Sequence, residues 1–186
     1  MKKSYTGLII LSVIILIGVI GVSSYNSLVK AKETVDANYS DISVQLKRRA
    51  DLIPNLLNTV KGYMSHEEEI INSITEARSN LLNAKTIKEQ SKANNELTSA
   101  LNSLNVIVEN YPDLKSNTIF IQLKDELAGT ENRIATSRIK YNDSVKKYNQ
   151  MVSVFPKNII ANMFNFEKKD YFEVDEKDSE VPNVEF

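Results

Sequence analysis

The sequence predicts an all-α protein: an N-terminal transmembrane helix that continues into an antiparallel bundle of about four long helices, then an extended C-terminal tail. Three observations carry that expectation. Only five glycines occur in 186 residues, three of them within the first 21, which leaves no material for a phosphate-cradling loop and makes the body nearly all helix. Apolar side chains recur at intervals of three and four residues along several separate segments, the spacing of one face of a helix. No charged side chain lies between Lys3 and Lys30, and Leu8 to Val22 is almost wholly Leu, Ile and Val. The expected division is an anchor over 1–24, a bundle over 25–164 and an acidic tail over 165–186.

For the leader, a signal peptide and a membrane anchor compete, since an apolar core of ~7–15 residues suits the first and ~20 residues are needed to cross. Tyr5 and Tyr25 favour a retained anchor, because twenty residues of helix place them about 30 Å apart, near the hydrocarbon thickness, as interfacial aromatics lie. Beyond Ser24 the chain continues in helical register instead of offering a small-x-small cleavage site. Lys2 and Lys3 nearly balance Lys30 and Lys32; the tight pair with the α-amine tips orientation towards N-terminus inside and body outside the cell membrane.

The stripe passes through Tyr25, Leu28, Ala31, Val35 and Tyr39 into the segment that organises the chain, Asp41 to Glu67. There Ile42, Leu46, Arg49, Ile53, Leu56, Val60 and Tyr63 share one face, a guanidinium among apolar neighbours. Pro54 sits mid-helix, and its missing donor and ring predict a kink or a restart. Ser65 and Glu68 have capping-box spacing and announce a new helix with Ile70, Ile74, Ala77 and Leu81 inward; one continuous helix to Asn83 is the alternative. After a polar turn at Lys85 to Glu89 comes a stripe of Ala93, Leu97, Leu101, Leu104 and Val108, ended by Tyr111-Pro112-Asp113.

The cleanest periodicity follows: Phe120, Leu123, Leu127, Thr130, Ile134, Arg138, Tyr141, Val145, Tyr148, Val152 and Phe155. Such a helix is a coiled-coil strand or a bundle spine, and three other amphipathic segments make the bundle the economical answer. Asn158 to Phe164 can form a short helix after Pro156. From Glu167 the tail holds eight acidic and three basic residues, with Tyr171, Phe172, Val174, Val181 and Phe186 predicting an extended segment partly docked on the bundle.

Several motifs resemble the LemA family: Tyr25-Asn26-x-Leu28-Val29; Asp41-Ile42-x-Val44-Gln45-Leu46-Lys47-Arg48-Arg49-x-Asp51-Leu52-Ile53-Pro54-Asn55-Leu56; Thr59-Val60-Lys61-Gly62-Tyr63 and His66-Glu67. Thr75-x-Ala77-Arg78, Tyr111-Pro112-Asp113-Leu114-Lys115, Thr130-Glu131-x-Arg133-Ile134-Ala135, Tyr141-Asn142 and Tyr148-Asn149 extend the resemblance over essentially the whole chain. It implies a membrane-anchored N-terminus and an antiparallel helical bundle, and brings no enzymatic activity, substrate or cofactor with it.

Net charge is −1 without an aromatic-studded basic face, so no nucleic-acid partner is expected. Cysteine is absent, which removes thiolate metal sites and cysteine nucleophiles. The one histidine, His66, lacks the second histidine that a zinc-protease motif would place at position 70, which is Ile. No catalytic residue, metal or cofactor is therefore expected. Lys47-Arg48-Arg49 falls short of the ~4–8 residue basic cluster that binds lipid headgroups, so Lys47 and Arg48 read as a solvated face. The better lead is the charge on or near core stripes: Arg49, Asp51, Glu67, Arg78, Glu131, Arg133 and Arg138. An unpaired buried guanidinium is costly, so Arg49, Asp51, Glu131 and Arg138 are expected to meet in one interhelical layer that fixes register. The competing reading is an anion- or peptide-binding notch at the kink. The expected protein is therefore a non-enzymatic membrane-tethered bundle with a surface for a protein partner. A ligand-binding or sensory module with an Arg-lined notch is the alternative, and paired-carboxylate catalysis has no two acids that stand out.

Overall fold

The computed structural model describes residues 2–64 and 66–173, with residues 2–4 and 6 as backbone alone. Six helices and no strand occur among the described residues: α1 (Lys2–Lys61), α2 (Glu68–Asn83), α3 (Ile87–Val108), α4 (Pro112–Lys115), α5 (Thr118–Ser153) and α6 (Lys157–Met163). They pack as two units. One comprises residues 2–38 and 142–169, the other the described residues of 39–141 together with 170–173, with α1 and α5 contributing to both.

The second unit is an up-and-down bundle. Its antiparallel course shows in the pairs that link α1 to α5: Tyr39 with Tyr141, Arg48 with Glu126, and Tyr63, just past α1, with Asn117, just before α5, so residue numbers rise on one helix as they fall on the other. Helix α2 turns back along α1, where Arg78 meets Ala50, and α3 returns beside it, with Asn80 donating to Glu96. The core of this unit includes Ile42, Leu46, Ile53, Leu56, Val60, Ile74, Leu97, Leu104 and Ile134, all buried. These are the stripe positions, and burying each large aliphatic side chain contributes ~1.5–3 kcal/mol.

Helix α1 does not restart at Pro54; it runs on to Lys61. The proline removes the N–H that would serve the Ala50 carbonyl, four residues back, and Ala50 is fully buried. Arg78 of α2 takes that place, its Nε donating to Ala50 O at 2.7 Å. The defect is thus repaired from outside the helix.

Two aromatic positions depart from the periodic expectation because their helices stop first. Helix α1 ends at Lys61, so Tyr63 leaves the stripe and is exposed, accepting a hydrogen bond from Asn117 Nδ2 at 2.9 Å, while Met64 is buried instead. Helix α5 ends at Ser153, and Phe155 lies beyond it at 75% exposure. The break between α1 and α2 excludes the single helix to Asn83. Ser65, half of the expected capping box, lies outside the described residues, and Glu67 stands at the N-cap of α2 with no side-chain cap bond.

A complete capping box does occur at α3, in the stretch expected to be only a polar turn. Glu89 N donates to Thr86 Oγ1 at 3.2 Å and Thr86 N donates to Glu89 Oε2 at 3.0 Å. Backbone N–H groups of Lys85 and Thr86 hold the Glu89 carboxyl below the usual carboxylate range. Thr86→Ala should destabilise the protein by ~1 kcal/mol in urea melts with an unchanged m-value.

In the first unit Leu28 and Val35 of α1 are buried with Val145, Tyr148 and Val152 of α5. Asn149 clasps the peptide at Lys169 from both sides, Nδ2 donating to Lys169 O and Oδ1 accepting from Lys169 N, each at 2.8 Å. Lys169 Nζ and Lys32 Nζ donate to Asp36 at 3.3 and 3.0 Å. Partial burial pushes the Asp36 carboxyl up, but the two lysines outweigh it and hold it below its ordinary range. In the second unit Tyr141 Oη donates to Asp170 O at 2.8 Å, Ser91 Oγ donates to Glu173 O, and Phe172 is buried. The described end of the chain is therefore non-helical and docked; Val174, Val181 and Phe186 lie outside the described residues.

Candidate functional site

Arg49 is the one buried charged residue among the described side chains, at 3% exposure between Leu46 and Ile53 of α1. Two helices supply its partners. Nη1 donates to Asn94 Oδ1 at 2.7 Å and to Thr98 Oγ1 at 3.0 Å on α3, and Glu131 of α5 completes an ion pair. The Glu131 side chain is 38% exposed as a whole, but Oε2, the oxygen that faces Arg49, is buried with the guanidinium. Burial pulls the Arg49 guanidinium's proton affinity down and Glu131 pushes it back up. Arginine's ordinary affinity is so high that the group stays cationic throughout.

The hydrogen bonds of Nη1 and the ion pair leave Arg49 Nε buried without a hydrogen-bond partner among the described residues. Beside the pair lies a cavity of about 230 Å³ whose lining joins Leu56, Leu104, Phe120 and Leu127 to the charged Arg49, Lys124 and Glu131.

The other members of the expected layer are elsewhere. Asp51 sits on the exposed face of α1 and pairs with Lys47 one turn back at 3.2 Å. The shorter reach to a neighbour at i−4 wins over a cross-helix partner. Glu67 accepts from Tyr111 Oη at 2.8 Å, tying the start of α2 to the turn before α4. That bond raises the Tyr111 hydroxyl above its ordinary range. Arg138 is half-buried, and no carboxylate lies within 4.0 Å of it among the described residues. Arg133 is exposed, and Arg78 serves the Ala50 carbonyl. The layer is Arg49 and Glu131 with two neutral partners that charge-based reading passes over. Their signal is nonetheless present: Ser91, Asn94 and Thr98 are polar residues at helical spacing beside the α3 stripe.

His66 is exposed, and no group of three His, Cys, Asp or Glu side chains that could hold a metal occurs among the described residues. Of the two tyrosines expected at a membrane boundary, Tyr5 is exposed and Tyr25 packs its ring 4.8 Å from Phe164 and 5.8 Å from Phe166. Between them the side chains of Leu8 to Ile17, Val19, Ile20 and Val22 are exposed. Helix α1 is the one described helix long and apolar enough to cross a membrane.

Residues 38–186 match the LemA family. Among curated proteins the chain is similar to Protein LemA of Metamycoplasma hominis, 27% identical over 165 residues that cover 85% of this chain and 75% of that protein. It is also similar to Magnetosome protein MamQ 2 of Paramagnetospirillum magneticum, 25% identical over 175 residues. Magnetosome protein MamQ of Magnetospirillum gryphiswaldense is 25% identical over 174 residues. The chain spans 64% of the length of each of these two magnetosome proteins, and the match covers 80% of this chain.

Proposed function

We propose, from the premise that this chain belongs to the LemA family, that it is a non-enzymatic protein tethered to the cell membrane by a single pass of α1, presenting its helical bundle to a protein partner. One observation carries the reading. The exposed apolar run of Leu8 to Val22 and the buried stripe positions Leu28 and Val35 belong to one unbroken helix. So many exposed aliphatic side chains in succession call for a lipid environment, and ~20 residues suffice to cross it. The orientation follows the basic start, N-terminus inside and body outside. The charge pair at Arg49 acts in this reading as a register pin, a role for which buried polar groups are best attested.

The test begins with membranes washed in alkaline carbonate. The full chain should stay in the pellet and a chain lacking residues 2–24 should appear in the wash; a full-length chain released by carbonate overturns the tether. Crosslinking in intact membranes should then give a discrete protein adduct. One observation favours a second reading, the cavity beside the unpartnered Arg49 Nε. A ligand-dependent rise in melting temperature, with no protein adduct, would support that sensory module and sink the partner-presenting bundle.

A further inference from the structure

We infer that α6, with Val154 and Phe155 before it and Phe164 after it, forms a second membrane contact, an apolar foot set into the bilayer interface beside the point where α1 leaves the hydrocarbon. The inference rests on reading Leu8 to Val22 as the span.

Helix α6 is held against the end of that span by contacts within the first unit. A Cβ at Gly21 would meet Ile160 Cδ1 at 3.9 Å, which is ordinary contact. Tyr25 packs on Phe164 and Phe166, and Lys157 Nζ donates to Ser27 Oγ at 2.9 Å. These contacts place α6 level with residues 21–27 of α1. That stretch of helix rises ~9 Å, comparable to the ~5–10 Å depth that interfacial helices occupy.

What α6 shows at that level is mostly apolar, Asn162 being its one exposed polar side chain. Ala161 is its one buried residue, whereas Ile159, Met163 and Phe164 are exposed, as are Val154 and Phe155 just before it. Water around this segment would solvate five large apolar side chains within eleven residues, a density that marks an interaction site. The charge pattern selects lipid as the occupant. Between Asp143 and Glu167 there is no acidic residue, and the charges present are Lys146, Lys147 and Lys157. A carboxylate near hydrocarbon is costly, while a lysine stem can lie along apolar surface with its ammonium among headgroups. Continuity with the span supplies the geometry: lipid that surrounds Val19 to Val22 on α1 reaches α6 without a gap to fill.

The sequence contains no cysteine, so single labels are direct. Full-length protein carrying Phe155→Cys or Met163→Cys is labelled with NBD and reconstituted into equimolar phosphatidylcholine–phosphatidylglycerol vesicles, with and without acyl-chain doxyl lipid. Ile15→Cys reports the span, and Val106→Cys, at a position 73% exposed in the other unit, reports water. Phe155 and Met163 are both exposed, so the substitutions remove no core contact, and circular dichroism checks the fold. Doxyl lipid should remove about half of the emission at Phe155 and Met163, as at Ile15, and leave Val106 unchanged. Quenching at Ile15 with none at Phe155 or Met163 overturns this inference and leaves the span standing. Absence of quenching at Ile15 overturns the span and the foot together. A blue-shifted but unquenched Met163 label means that another protein surface covers the patch, which also overturns the lipid contact.

Discussion

Arg49→Glu is expected to destabilise the protein by ~3–5 kcal/mol, the cost of a buried charge deprived of its partner, and the new carboxylate would face Glu131 and Asn94 Oδ1. At ~2–4 °C per kcal/mol for a domain of this size, the melting temperature should fall by ~6–20 °C. Arg49→Met should be milder. The Glu131 side chain is partly exposed and can be rehydrated, and the Asn94 amide can turn to offer a donor, so less is left stranded. Charge exchange, Arg49→Glu with Glu131→Arg, should recover part of the loss, because the pair couples and its members are not independent. Thermal melts followed by circular dichroism check all three. An Arg49→Glu protein that melts like the parent would mean that the guanidinium pins nothing.

Arg78→Met should cost ~1.5–3 kcal/mol, since it withdraws a charged donor from a carbonyl on a fully buried residue. The informative form is a double-mutant cycle with Pro54→Ala. Alanine at position 54 restores the backbone N–H that Ala50 O lacks, so the arginine becomes redundant for that bond. The loss on Arg78→Met should therefore shrink by ~1 kcal/mol or more in the Pro54→Ala background, well above the ~0.3–0.5 kcal/mol within which independent sites add. Equal losses in the two backgrounds would show that the proline and the arginine are unrelated. The result matters for the central motif. Pro54 and Arg78 are then one device, a helix irregularity together with its external repair.

The helical architecture was legible because apolar periodicity measures what packing needs. Ile42, Leu46, Ile53, Leu56 and Val60 on α1, and Leu97, Leu101 and Leu104 on α3, are buried where spacing put them. Tyr63 and Phe155 were misread for one shared reason: periodicity in residue type runs on after the backbone has left the helix. At the candidate site, a requirement for partners was readable from a guanidinium on an apolar stripe. Glu131 was among the partners named; the two neutral ones were not. Formal charge pointed to Asp51, but Lys47 at i−4 is within its reach on the same helix, while the acceptors at Arg49 include an amide and a hydroxyl with no charge to announce them. The repair of Ala50 O by Arg78 spans 28 residues, beyond any local pattern. Thr86 and Glu89, by contrast, carry a local capping signature that a search for it finds.

The grip on the end of the described chain has a consequence for what may replace it. Asn149 addresses both polar groups of the Lys169 peptide, Tyr141 takes the Asp170 carbonyl, and Ser91 takes the Glu173 carbonyl. All of these are main-chain groups that any non-proline residue offers. Identity is demanded at Phe172, whose ring is buried, while the side chains of Asp170, Tyr171 and Glu173 are left outside. Within the second unit, then, residues 170–173 are held by main-chain carbonyls and one aromatic ring, so substitutions at Asp170, Tyr171 and Glu173 should be tolerated where one at Phe172 is not.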